Sequence, residues 1–98
     1  MDMKKNKFKL GQILQTSGVY ERICDDINFF LYVNECLNRY TKCDWGEMCV
    51  EDKEMNDRAV ESGEDRILAS YQKDGMPKIY IITEWDRSAT TILFPSEY

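Results

Sequence analysis

The sequence contains no histidine. That removes the side chain most often used near neutral pH as general base, proton shuttle and metal ligand. Any catalysis would fall to carboxylates, lysine, tyrosine or cysteine. No apolar run approaches the roughly 20 residues that cross a bilayer. The first ten residues, MDMKKNKFKL, hold no apolar segment of a secretion signal. The expectation is a cytoplasmic protein with no membrane contact. Cys24, Cys36, Cys43 and Cys49 are even in number, but none forms a Cys-x-x-Cys pair. A disulfide framework is not expected from them, and a four-cysteine zinc site is the minor reading. Cys24 and Cys36 read as small buried apolar residues. No cofactor, metal ligand or catalytic residue is assigned.

What is present suits one domain spanning residues 1–98. No repeat, linker or low-complexity segment interrupts it. Charge is unevenly spread. Lys4, Lys5, Lys7 and Lys9 face only Asp2 near the start, and the lysines ahead of Lys7 read as a frayed terminus. From Asp44 to Asp65, nine acids stand against Lys53 and Arg58, a net of −7 in a chain of net −5. Such a block disfavours direct nucleic-acid binding on its own surface and favours a basic partner.

The periodicities give an element order. KFKLGQIL reads as a strand, with Phe8, Leu10 and Gln12 alternating against Lys9, Gly11 and Ile13. Thr16 or Ser17 caps a short helix from Val19 to about Cys24, and Asp25 or Asp26 caps the next. Phe30, Val33, Leu37 and Tyr40 recur at helical spacing, widened by Phe29 and Cys36, and predict the main packing face. Asp44 and Glu47 fit the N-cap and N3 positions of a capping box opening a third helix, with Cys43 and Met48 as its staple. Met48, Met55 and Ala59, with Val60 beside them, line its inner side, and Gly63 ends it. RILASYQ, KIYIITE and TTILF read as strands, with Asp74-Gly75 turning between the first two and Pro95 stopping the third. KIYIITE reads as a central strand. The fold class is α+β in the order β-α-α-α-β-β-β. An antiparallel sheet of about four strands, with helices packed on one face, is the simplest arrangement.

The stretch TEWDRSATT has the residue types of a site. If the strand runs on through Glu84 and Asp86, both carboxylates project to one side, as a small metal-dependent nuclease or phosphodiesterase would need. A polar hairpin corner is the competing reading. There Arg87 pairs with Asp44, Glu84 or Asp86 and ties the turn to the third helix, with Trp45 and Trp85 packed beside it. A third reading is a partner surface. Its candidate residues are Glu51, Asp52, Glu54, Asp57 and Glu61 with Trp45 and Trp85, since acids at phosphate-like spacing can occupy a basic nucleic-acid groove.

The second half resembles the "plasmid-related" proteins of bacterial mobile elements and phages. The resemblance covers Cys43 to Tyr98. It rests on DWGE at Asp44–Glu47, ED at Glu51–Asp52, Asn56, RILASY at Arg66–Tyr71, KIYIITE at Lys78–Glu84, DRSATTILFP at Asp86–Pro95 and the closing EY. LGQILQTSGV in the first half fits the same layout. Cys43 stands where that family would have glycine, and Trp85 where it would have a small residue. The resemblance carries no catalytic residues. It implies a genetic setting, that of small proteins carried by plasmids, phages and conjugative elements. That setting together with the acidic charge leads to the expectation of a non-enzymatic accessory protein that binds a host or defence-system protein with a basic surface. The concrete form is an anti-CRISPR-type inhibitor whose acidic helix enters a guided nuclease. A plasmid-maintenance regulator is the alternative.

Overall fold

A computed structural model describes residues 6–98. The expected frayed start at Lys4 and Lys5 lies outside the described residues. The elements are β1 (Gln12–Gln15), α1 (Ser17–Asp25), α2 (Ile27–Thr41), α3 (Val50–Ser62), β2 (Ile67–Tyr71), β3 (Ile79–Thr83) and β4 (Ala89–Leu93), then a 3-10 turn at Pro95–Glu97. The expected order therefore holds.

The sheet runs β1-β4-β3-β2. β2, β3 and β4 form the expected antiparallel meander, with β3 in the interior. β1 pairs parallel to β4, so the sheet is mixed, not purely antiparallel. The helices explain the difference. They carry the chain from one edge of the sheet to the other, and a crossover of that length returns a strand in its original direction. The first strand is also displaced from the expected stretch. Gly11 has φ +65°, outside extended geometry, so pairing begins only at Gln12. Phe8 joins an aromatic cluster instead, edge-on to Tyr40 at 5.4 Å and tilted 5.9 Å from Trp45.

The local signals for the first two helices were legible. The Thr16 side chain accepts the Val19 N–H at 3.3 Å, and the Asp26 carboxylate accepts those of Asn28 and Phe29. The packing stripe is rotated from the expected one. Phe29, Tyr32, Val33, Cys36 and Tyr40 are buried, whereas Phe30 is 40% exposed. Tyr32 replaces Phe30 because its hydroxyl reaches the Tyr71 carbonyl at 3.0 Å. A buried phenol with a partner is as good a core residue as phenylalanine. Cys36 is buried as expected, and burial pushes its thiol up to about 11, so it stays neutral. Cys24 is exposed, contrary to expectation.

One side of the sheet presents Ile67, Ala69, Tyr71, Ile79, Ile81, Thr83, Thr90 and Ile92 to the helices. Two threonines are tolerated there because they form a relay. Thr90 donates to the Leu10 carbonyl at 2.7 Å, its oxygen lies 2.8 Å from the Thr83 hydroxyl, and that lies 2.7 Å from the Tyr40 hydroxyl. Since Thr90 spends its proton on Leu10, the chain must run from Tyr40 through Thr83 to Thr90. Removing the Thr83 hydroxyl leaves Tyr40 with the Ile67 carbonyl at 3.3 Å and Thr90 with Leu10. Removing that of Thr90 strands the Leu10 carbonyl and turns the Thr83 proton back to Tyr40, which is left with the longer bond to Ile67. Thr90→Val is therefore expected to cost about 2 kcal/mol and Thr83→Val about 1 kcal/mol in urea denaturation. The opposite order would mean that the relay runs the other way.

Candidate functional site

α3 starts later than its capping signal predicts. It begins at Val50, and Cys49, its N-cap residue, makes no side-chain cap bond. Asp44 is engaged elsewhere. Its carboxylate binds the Arg39 guanidinium through two bonds, of 2.8 and 3.1 Å, and accepts the Gly46 N–H at 3.2 Å. The Arg39 bonds hold the Asp44 carboxyl below its ordinary range. Gly46 sits at φ +74° and bridges to Ser70 in parallel. Residues 44–47 thus form a strap along β2, bent at Gly46, instead of a helical turn.

The strap and α3 close the outer edge of β2. The outward backbone groups of Leu68 are both met by the Asn56 side chain, whose Nδ2 donates to the Leu68 carbonyl at 2.8 Å while its Oδ1 accepts the Leu68 N–H at 3.3 Å. Those of Ser70 are met by Trp45 and Glu47: Ser70 N–H donates to the Trp45 carbonyl at 3.3 Å, and Glu47 N–H to the Ser70 carbonyl at 2.6 Å. An exposed edge of this length is an aggregation hazard, and here it is plugged residue by residue. In the sequence, Asn56 stands out only among the residues of the resemblance. Its polarity at the helical spacing of Ala59 was the available signal, since a buried amide on an apolar face needs such a job.

Trp45 is 2% exposed and Trp85 is 66% exposed. Trp45 is therefore no partner anchor. Its ring packs edge-on to Tyr40 at 5.4 Å, and its indole N–H donates to Asp57 at 2.9 Å. Asp57 is consequently a positioning residue as well as an acid. The two tryptophans do not share a corner, and Trp85 alone projects from the β3–β4 turn.

The corner itself is built by Arg87, as expected, but through carbonyls and not carboxylates. Its Nη1 donates to the carbonyls of Asp65 at 2.7 Å, Trp85 at 3.1 Å and Glu84 at 3.3 Å, and its Nη2 donates to Ala59 at 2.8 Å. One guanidinium thus joins the last turns of α3, the loop to β2 and the hairpin turn. Cations suit that place, where helix carbonyls lack intrahelical donors. Glu84 and Asp86 do not lie along one strand face. β3 ends at Thr83, and the turn closes with the Arg87 N–H on the Glu84 carbonyl at 2.9 Å. Asp86 accepts the Ser88 N–H at 3.0 Å, and its hydrogen bonds to Ser88 hold its carboxyl below the ordinary range. Among the described residues, no group of three or more acids or cysteines converges on a point that could hold a metal ion.

The acidic block is not carried by one helix. α3 holds Glu51, Asp52, Glu54, Asp57 and Glu61 against Lys53 and Arg58, a net of −3. The remainder flanks it. Every acid from Glu47 to Asp65 is exposed. The ion pairs among the described residues, Arg22–Asp26, Arg39–Asp44 and Lys73–Glu35, use none of the α3 acids. Glu51, Glu54, Arg58 and Glu61 recur at +3, +7 and +10 on the outer side of the helix, opposite Asn56 and Ala59. Asp52 turns toward a groove of about 460 Å³, which Met48, Met55, Leu68, Arg58 and Arg66 also line.

The molecule is thus an α+β domain with three helices and a four-stranded mixed sheet. Among the described residues, no helix is long and apolar enough to cross a membrane. No protein-family model, curated protein or solved structure matches the chain.

Proposed function

We propose that the protein is a non-catalytic binding protein that uses the outer face of α3 against a basic surface of another protein. The observation that carries this reading is the pairing state of the acids. Glu51, Glu54 and Glu61 are exposed, outside the ion pairs of the described residues, and presented by a helix whose inner side is fixed. Asn56 ties that helix to β2, Asp57 holds Trp45, and Arg87 binds the Ala59 carbonyl. Rigid like charges held near one another cost stability through self-repulsion, and a basic partner relieves that cost. With the resemblance to proteins of mobile elements, the concrete form of the partner is a host or defence-system protein with a nucleic-acid groove. An anti-CRISPR-type inhibitor would place α3 in the groove of a guided nuclease.

The test is capture of partners from host lysate by the immobilised protein, followed by titration of the purified partner. Glu51→Lys, Glu54→Lys and Glu61→Lys together are expected to weaken binding about 100-fold, with steep salt dependence in the wild type. Double-stranded DNA should displace the partner. The melting curve should move little, with Glu51→Lys alone costing about 0.5 kcal/mol at the helix N-terminus. Asp57 is left intact because of Trp45. Binding that survives the triple reversal would sink the acidic-face mechanism.

A further inference from the structure

The two edges of the sheet are treated in opposite ways. The β2 edge is plugged by Asn56 and the Asp44–Glu47 strap. The β1 edge is left open. Gln12 N–H donates to Ser88 and Thr16 N–H to Ile92, so alternation turns the backbone groups of Gln12, Leu14 and Thr16 toward β4. The N–H and C=O of Ile13 and Gln15 point away from the sheet, and among the described residues nothing bonds them. All four β1 residues are exposed. Ile13, on the helix side, is 46% exposed, so the helical layer stops short of this strand. Leu14, on the other side, is 42% exposed.

Natural edges are commonly guarded by shortness, lysine, proline, a bulge or an inward charge. β1 is short, at four residues, and has none of the others. Leu10 to Tyr20 is the longest stretch without a charged residue in a chain that is 32% charged. A chain of net −5 should repel its copies, yet this edge contributes nothing to that repulsion.

We propose that the β1 edge pairs antiparallel with β1 of a second copy, giving a two-fold dimer with one continuous eight-stranded sheet. The register follows from which groups point outward. Both Ile13 and Gln15 are used only when the axis passes beside Leu14, so that Ile13 of each copy faces Gln15 of the other. That pairing makes four backbone hydrogen bonds. Leu14 then meets its own copy as a non-hydrogen-bonded pair, the close kind, with Cα atoms about 4.5 Å apart. The side of the sheet turned away from the helices becomes continuous across the axis, joining Leu14 to Ile82 and Leu93, which are 8% and 6% exposed and lie outside the helix-packed cluster. Because α3 flanks the opposite edge, the dimer keeps both acidic helices free, with the β2 strands roughly 35 Å apart. The dimer does not depend on the acidic-face reading, but it would make that reading bivalent.

Sedimentation velocity on the full chain from micromolar to near-millimolar concentration tests this. The wild type should move from the 11.6 kDa chain mass toward twice that value. Gln15→Pro removes one outward donor and leaves the β4 ladder intact. Leu14→Lys sets like charges face to face at the axis. Each should raise the dimer dissociation constant at least tenfold while the melting temperature of the monomer is unchanged. The triple lysine variant of α3 should dimerise as the wild type does. A wild type that stays monomeric throughout, or a dimer that neither β1 variant weakens, would overturn the proposal.

Discussion

Gly46→Ala is expected to lower the melting temperature by about 15–30 °C, while Gly63→Ala and Gly75→Ala each lower it by less than about 8 °C. All three glycines are left-handed, at φ +74°, +76° and +83°. The conformational penalty for alanine is therefore shared and amounts to about 1 kcal/mol. Only the surroundings differ. A Cβ at Gly63 or Gly75 meets nothing within 4 Å. A Cβ at Gly46 overlaps the Ser70 carbonyl oxygen and lies 2.7 Å from the Tyr71 ring. Tyr71 is fully buried and its hydroxyl bonds the Asp44 carbonyl at 2.7 Å, so the ring has no room to retreat. The strap must lift. It takes with it the Glu47–Ser70 and Ser70–Trp45 backbone bonds and withdraws the Trp45 ring from the core. The sum is about 4 kcal/mol, a large share of the stability of a domain this size. Near-ultraviolet circular dichroism would follow Trp45 through the transition. A Gly46→Ala loss no greater than that of Gly75→Ala would mean that the strap is not fixed to β2.

The same strap marks the limit of what the sequence could tell. Signals that act within a few residues were readable: the caps at Thr16 and Asp26, the left-handed stop at Gly63 and the turn at Asp74-Gly75. Asp44 and Glu47 also satisfied a local rule, and it failed. Arg39, five residues earlier, and Ser70, far along the chain, offered stronger partners than a helix start did. The parallel pairing of β1 was hidden for a related reason. It depends on the crossover spanning the whole sheet, which no local pattern encodes. Of the candidate site, the acids were placed correctly on the surface but were over-concentrated on one helix. Trp45 could not be told from Trp85, because an indole beside polar residues looks alike whether its N–H meets Asp57 or water. Cys43 carries a further trace of tertiary demand. It has φ +65°, a conformation that suits glycine, the residue the resemblance leads one to expect there.

Arg87→Ala is expected to cost about 2 kcal/mol, and Arg87→Gly about 1 kcal/mol less, although both delete the same side chain. Arg87 combines two roles that the pair separates. Its guanidinium bonds carbonyls from three segments, and its backbone sits at φ +61°. Losing the clamp leaves the Ala59 and Asp65 carbonyls without their charged donor, a loss of about 2 kcal/mol after allowing for water at the partly exposed site. Arginine and alanine pay the same penalty of about 1 kcal/mol for a Cβ in left-handed geometry, whereas glycine adopts that geometry freely and recovers it. Arg87→Lys should fall below alanine as well, since one ammonium can reach one or two of these carbonyls but not both arms of the fork. Urea denaturation orders the three, and amide hydrogen exchange locates the damage. Exchange should quicken at Gly63, whose N–H shares the Ala59 carbonyl, before it quickens in β3. If glycine proves worse than alanine, the backbone conformation is not under strain. If alanine costs under 1 kcal/mol, the guanidinium is not the tie. The link to function follows from position alone. Arg87 touches no α3 acid, yet it fixes the end of the helix that carries Glu61. If α3 binds a basic partner as proposed, loss of Arg87 should weaken that binding only as far as α3 loosens, and restoring the carbonyl contacts should restore both together.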